Sequence, residues 1–263
     1  MSEWRLVATT QTTPASINDP YEVTLPCRHP DQAVDIAAWM VQEIQQNAVS
    51  DAALRMKQQN AYSAERELSK WQQEGEELGF LQQIGRAVVK PGFYDIEHAQ
   101  QRAAWSRWTW MVMQDHDWDH KRRIAGRFET LGKTSYRHHH KYKKYEYFYD
   151  IWSNIHYGYM GLFCGFSRDA LLDGAGLEQV GTDLHRFQSP TNRASTNGEG
   201  LQRFDDTTDS LSIRIGYDLF DAYPDPQRLT AQILLDRIEA APYPMEVGSK
   251  VLHDCQRARE RRE

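Results

Sequence analysis

The earliest anomaly with chemical potential is a carboxylate on an apolar stripe. At about 100° per residue, Ile36, Met40, Glu43 and Asn47 share one face of a helical pattern that starts at Asp31, and Ala33 and Ile44 flank them. A carboxyl group turned toward a core has its pKa raised unless a cation or several donors meet it. A raised carboxyl suits general-acid work; one met by an Arg or by a helix end is structural. A second face of this kind lies near residue 150, where Asp150, Asn154, Tyr157, Gly158, Gly161 and Gly165 align. Three helical glycines in one row imply either close approach of another backbone or room for a ligand beside the polar groups. His156 falls on the opposite, apolar side of that wheel.

Between these helices stands the run Asp115, His116, Asp117, Trp118, Asp119, His120, Lys121. Its carboxylates and imidazoles suit an acid/base pair or a divalent ion, although their spacing matches no specific metal signature. From 121 to 144 there are nine Lys or Arg against one acid, with His138, His139 and His140 inside the run and Tyr142, Tyr145, Tyr147, Phe148 and Tyr149 in or just after it. Cations interleaved with stacking aromatics suit a phosphate backbone, an acidic wall polymer or an anionic membrane face; a solvated surface has the same composition. Asp205, Asp206 and Asp209 read as acids at a helix N-terminus.

The elements that must hold these groups are mostly helical. Helical patterns are expected over 31–47, 51–78, 95–114, 150–166, 206–220 and 226–241, with the start of the fifth set by an Asp206/Asp209 capping arrangement and that of the last by Asp225-Pro226. Residues 115–149 are polar and carry no clear period, and 188–204 are loop-like. The expected architecture is mainly α: an irregular or extended segment over 1–30, a compact helical domain with long polar loops over 31–245, and a surface helix over 246–263.

Composition narrows the function. The 263 residues carry 31 Lys+Arg and 37 Asp+Glu, a formal charge of −6, which argues against a protein that coats nucleic acid over its whole surface. No apolar run reaches the roughly 18 to 20 residues of a spanning helix, and the first twenty residues do not read as a secretory signal. Cys27, Cys164 and Cys255 form no CxxC pair, so no thiolate metal site, and no metal or cofactor, is expected.

Several stretches together resemble the bacterial polymorphic toxin type 44 family: WMVQEIQQNAVS (39–50), WDHK (118–121), YDIWSNIHYGYMG (149–161), LLDGAGLEQ (171–179) and RFDDTTDSLSIRIGYDLF (203–220). The resemblance runs over about 35–222. It implies an antibacterial effector of interbacterial competition, delivered by a type VI or related secretion-system carrier and paired with a cognate immunity protein. The motif positions in this chain are Glu43, Asn47, Asp119, Lys121, Asp150, Asn154, His156, Tyr157, Asp205, Asp206 and Asp209. The residues themselves suggest Glu43, Asp119, Lys121, Asp150, Asn154 and His156 as catalytic candidates, and Asn47, Tyr157, His120, Asp206 and Asp209 as substrate-binding ones.

Four functions compete on these residues. One is a hydrolase of peptidoglycan in the target periplasm, with Glu43 as general acid and Asp119 or Asp150 as second carboxylate. Another is a nuclease that uses His120 or His156 with Asp119, and Lys121 with the basic run for phosphates. The others are a membrane-disrupting toxin built on amphipathic helices and a helical interaction module without catalysis. Production in the cytoplasm and secretion without a signal peptide accompany the first reading.

Overall fold

A computed structural model describes residues 5–9, 20–24, 27–128, 138–174, 207–243 and 249–256. Strands β1 (Arg5–Thr9) and β2 (Pro20–Thr24) form an antiparallel ribbon within the segment expected to be irregular or extended. Helices follow in order: α1 (Ala33–Ala48), α2 (Asp51–Asn60), α3 (Ala64–Glu76), α4 (Phe80–Val88), α5 (Phe93–Val112) and α6 (Lys121–Phe128). A hairpin, β3 (His139–Tyr142) and β4 (Tyr145–Phe148), leads into α7 (Asp150–Phe163) and a helical stretch, α8, over 168–174. Then come α9 (Thr207–Ala222), α10 (Ala231–Ala240) and β5 (Lys250–Leu252), which pairs antiparallel with β4 to complete a sheet of order β3-β4-β5. The fold is mainly α, as expected.

Local chemistry explains where the elements break. The expected helix over 51–78 is two helices, because Ser63 leaves the helical conformation and its side chain accepts from the Arg66 N–H as an N-cap. Asp225 does cap a helical turn, but only a 3-10 turn over Pro226–Arg228; α10 starts later, capped by Thr230. The C-terminal stretch departs most from expectation. Where a surface helix was expected, Lys250–Leu252 form a strand against Tyr145–Tyr147, and helix among the described residues is confined to 254–256. The cause is tertiary: Val251 and Leu252 extend a hairpin edge, while the Lys250 ammonium lies over the Tyr145 ring and donates to the Glu239 carbonyl. The loop expected at 188–204, together with Asp205 and Asp206, lies outside the described residues.

The core is built around α1 and α7. Ile36, Met40 and Ile44 on α1 and Ile151, Trp152, Ile155, Tyr159 and Met160 on α7 are buried. Helix α9 runs beside α7 in the same direction, with Asn154 meeting Asp209 and, one turn on, Gly158 meeting Ile213. A Cβ at Gly158 would stand 2.1 Å from the Ile213 carbonyl oxygen, and one at Gly216 would stand 2.3 Å from the Ile155 carbonyl oxygen. Gly158 therefore serves close backbone approach, while the space beside Gly161 is filled by the Leu171 side chain, so neither leaves room for a ligand. The α7–α9 contact fixes which polar residues of the two helices face each other.

Candidate functional site

Two polar groups flank one short segment, Asp119-His120-Lys121. The first group is buried. Glu43 and Asn47 do sit on the core-facing stripe of α1, and the partners that meet them come from α6 and α7. The Arg123 guanidinium donates to both Glu43 oxygens at 3.0 Å, and His120 Nε2 lies 3.2 Å from Glu43 Oε2. Asn47 Nδ2 lies 2.9 Å from His156 Nε2, and the His120 and His156 rings approach to 4.2 Å between centroids. His120 is fully buried and His156 is 1 % exposed. Trp39 and Trp118 close the group edge-on against His120 and His156.

The electrostatics of this group correct one expectation. Burial pushes the Glu43 carboxyl upward, but the His120 hydrogen bond and the charge of Arg123 outweigh it, and the pKa ends below its ordinary value. Glu43 is thus an ionised, paired carboxylate, not a general acid with a raised pKa. His156 is held well below the usual imidazole range by burial first, then by His120 and Arg123. It is neutral, and with Nε2 accepting from Asn47 its proton resides on Nδ1.

The second group is half-exposed and opens on the other side. Asp119 is oriented from both oxygens: Oδ2 accepts from the Asp115 N–H at 2.9 Å and Oδ1 from the Lys121 N–H at 3.1 Å. Asp115 holds a positive φ of 68° to make that turn. Asp150 opens α7, and one turn on Asn154 Nδ2 donates to Asp209 Oδ1 at 2.7 Å. Tyr149 ties these charges together. Its phenol is pushed up by burial, then by Asp150, Asp119 and Asp209, while Lys121 opposes them. Electrostatic influence falls with distance, so three aspartates and one lysine lie within electrostatic reach of this hydroxyl. Buried Tyr243 is likewise pushed up by burial and, further down, by Asp150 and Asp209.

The other candidates are placed less centrally. Tyr157 packs on the Trp108 ring and donates to the Leu171 carbonyl at 3.0 Å. His139 and His140 are buried in β3, and burial lowers His140 to about 4. In the basic run, Arg122 pairs with Asp115, Arg123 with Glu43, Lys141 with Asp31 and Lys143 with Glu239. Sequence reasoning missed Tyr149 and the particular role of Arg123, although Arg123 lies three residues beyond His120 and so near its face of α6. It also missed a group able to hold a metal. Cys27, His29, His253 and Cys255 place four ligand atoms within 4.8 Å of one another, against the expectation that no thiolate site exists. Among the described residues no helix is long and apolar enough to cross a membrane.

No curated protein and no solved structure matches the chain. Residues 107–222 match the family model described as bacterial toxin 44. The matched stretch carries α6, α7, α9 and the whole half-exposed aspartate group, whereas Glu43, Asn47 and the Cys–His group lie outside it. Residues 107–222, somewhat under half of the chain, are therefore similar to the bacterial toxin 44 family.

Proposed function

We propose that this toxin is a hydrolase of the peptidoglycan wall, acting in the periplasm of a target bacterium through Asp119 and Asp150. The observation that carries the reading is that half-exposed Asp119, Asp150 and Asp209, together with Lys121, all act on the Tyr149 phenol through their charge, with Asn154 joining Asp209 to α7. Glycosidic bond cleavage needs one carboxyl to protonate the leaving oxygen and a second carboxylate to attack or to activate water. Asp119 is fixed in direction by two backbone donors yet keeps unused lone pairs, so it suits the acceptor role. Asp150 is its counterpart. Lys121 supplies positive charge to a site with three carboxylates, and the Tyr149 phenol, kept protonated, is available as a donor to a sugar hydroxyl. Glu43, His120, Asn47 and His156 act from behind, as positioning residues that hold the 119–121 segment.

Two observations support this reading over a nuclease. The imidazoles a nuclease would use are buried. Four cations of the basic run are already paired with carboxylates of the chain itself. The partners that go with the proposal are a cognate immunity protein and a secretion-system carrier, type VI or related.

The test is compartment and product together. Expression with an added periplasmic export signal is expected to lyse cells, while cytosolic expression is tolerated, and the purified protein is expected to release soluble glycan fragments from sacculi. Toxicity confined to the cytosol, with degradation of RNA or DNA and intact sacculi, would overturn it.

A further inference from the structure

The segment before α1 and the residues after β5, both outside the toxin match, meet on the β3–β4 hairpin. Asp31 pairs with Lys141 and accepts from the Lys143 N–H at 3.0 Å, while Gln32 accepts from the Lys141 N–H at 3.4 Å. These contacts dock the segment before α1 onto β3. At the other end, the His253 N–H donates to the Lys144 carbonyl at 2.9 Å, which fixes the residues after β5 on the same hairpin. Cys27 and His29 are thereby brought against His253 and Cys255, across a separation of more than 220 residues.

The geometry of the meeting is convergent. His29 Nδ1 lies 3.3 Å from Cys27 Sγ, 2.9 Å from His253 Nε2 and 3.5 Å from Cys255 Sγ. One imidazole nitrogen has a single lone pair or a single hydrogen, so it cannot satisfy three neighbours by hydrogen bonding. Four soft donor atoms facing one point is the arrangement a metal ion explains. On a zinc tetrahedron with Zn–N about 2.0–2.1 Å and Zn–S about 2.3 Å, donor atoms stand about 3.3 to 3.8 Å apart. The two sulfur separations, 3.3 and 3.5 Å, fall in that range and the nitrogen pair at 2.9 Å is tighter, and all four atoms lie within 4.8 Å of one another.

The surrounding shell fits as well. His253 Nδ1 lies 2.6 Å from Oε1 of Glu146, which is fully buried on β4. A carboxylate on the far ring nitrogen fixes the tautomer and leaves Nε2 as the ligand, the usual outer partner of a metal-bound histidine. His253 and Cys255 are buried and Cys27 is exposed, which gives an entry side. Two thiolates and two neutral imidazoles cancel the charge of a divalent ion.

We propose that Cys27, His29, His253 and Cys255 form a structural Zn²⁺ site that clamps the segment before α1 to the segment after β5. Four protein ligands leave no open position, so the ion is structural and takes no part in hydrolysis. The ligand pattern Cys-x-His and His-x-Cys mirrors itself across the chain, and the sheet is what closes it.

The experiment uses the full chain without an affinity tag. Elemental analysis is expected to give one zinc per chain, and native mass spectrometry a single zinc adduct lost on denaturation. Cobalt added to the reduced, metal-free protein is expected to give the strong visible bands of a tetrahedral ion with thiolate charge transfer. Cys27→Ser, at the exposed ligand, is expected to keep the far-UV spectrum while weakening zinc at least about 100-fold against a chelating indicator, and Glu146→Gln is expected to weaken it by about 10- to 100-fold. Cys164→Ser is expected to change neither. The site does not exist if the folded, reduced protein takes up neither zinc nor cobalt, or if Cys27→Ser binds as the parent does. A Cys27–Cys255 disulfide whose reduced form binds no metal would equally overturn it.

Discussion

His120 and its two neighbours divide between unlike environments. His120 is buried against Glu43, Trp39 and His156, whereas Asp119 and Lys121 remain half-exposed on the side of Tyr149. Both regions hold acids, amides and a cation, and by composition either could be a reaction centre. They differ in what their polar atoms have left to give. Both oxygens of Glu43 are taken by a guanidinium and one also by an imidazole, inside a shell of tryptophan. In the other region Asp119 is directed by two backbone donors and Asp209 by an amide donor, and both stay within reach of solvent. A buried polar network that is satisfied contributes rigidity. An oriented one that solvent can reach can receive a substrate.

The sharpest way to break this contrast is to remove charge on each side and ask which property falls. Asp150→Asn and Asp119→Asn are expected to reduce glycan release from sacculi by about 10²- to 10⁴-fold, the usual scale for acid/base groups. Their unfolding free energy is expected to move by only about 1 kcal/mol. Reducing-end assays and urea midpoints check both halves. Wild-type hydrolysis in either variant would remove that carboxylate from the reaction.

Arg123→Ala is expected to do the opposite. It leaves the Glu43 carboxylate desolvated with only His120 as partner, and stability is expected to fall by about 3 kcal/mol. That is the low end for a buried pair, because the Arg123 side chain is itself 48 % exposed. Activity per folded molecule is expected to stay near wild type at low temperature. A loss of hydrolysis without loss of stability would move Arg123, and with it the buried group, into the chemistry.

Periodicity made the helical scaffold readable, and it made Glu43 and Asn47 readable as inward-facing. The direction of the Glu43 shift was not readable, because it depends on a guanidinium that arrives 80 residues later. For the glycines of α7 the sequence left two explanations open. Ile213 and Gly216, on a helix more than 50 residues away, decide it for Gly158, and the Leu171 side chain decides it for Gly161. The hairpin of β3 and β4 was hidden in a stretch whose His, Lys and Tyr content favours no period, and β5 was hidden by the Arg-rich residues after it. The Cys–His group was least legible of all. Each half is an ordinary dipeptide-spaced pair, and its meaning exists only once the sheet has joined the ends.

Acid titration separates the buried residues from one another. His156 is held well below 6.5 and His140 at about 4 when folded, so each takes up its proton in the unfolded chain first. Stability is therefore full above about pH 6.5 and falls as pH drops, by about 1.4 kcal/mol per pH unit for each group. The Glu43 pKa lies below its ordinary 4.5, so its contribution persists above that value and is lost only as pH falls through the lower, folded one. Urea midpoints across pH are expected to show both limbs. His156→Gln is expected to reduce the slope of the upper limb, to which His140 and His29 still contribute, and Glu43→Gln to flatten the lower. An unchanged upper limb in His156→Gln would mean that the imidazole is not held neutral.

The smallest expected effect is also the one that tests the boundary between the two regions. Asp209 receives Asn154 at 2.7 Å and sits in the first turn of α9, where a negative charge favours the helix dipole. Asp209→Asn keeps an oxygen for Asn154 and loses the charge, so stability is expected to fall by about 0.3–1 kcal/mol. If Asp209 only sets the field around Tyr149, hydrolysis is expected to drop less than about tenfold, which is 1.4 kcal/mol of barrier. A drop like that of Asp150→Asn would instead make Asp209 one of the two reacting carboxylates. Asp119, with both oxygens already held by backbone donors, would then join Glu43 among the groups that position the site.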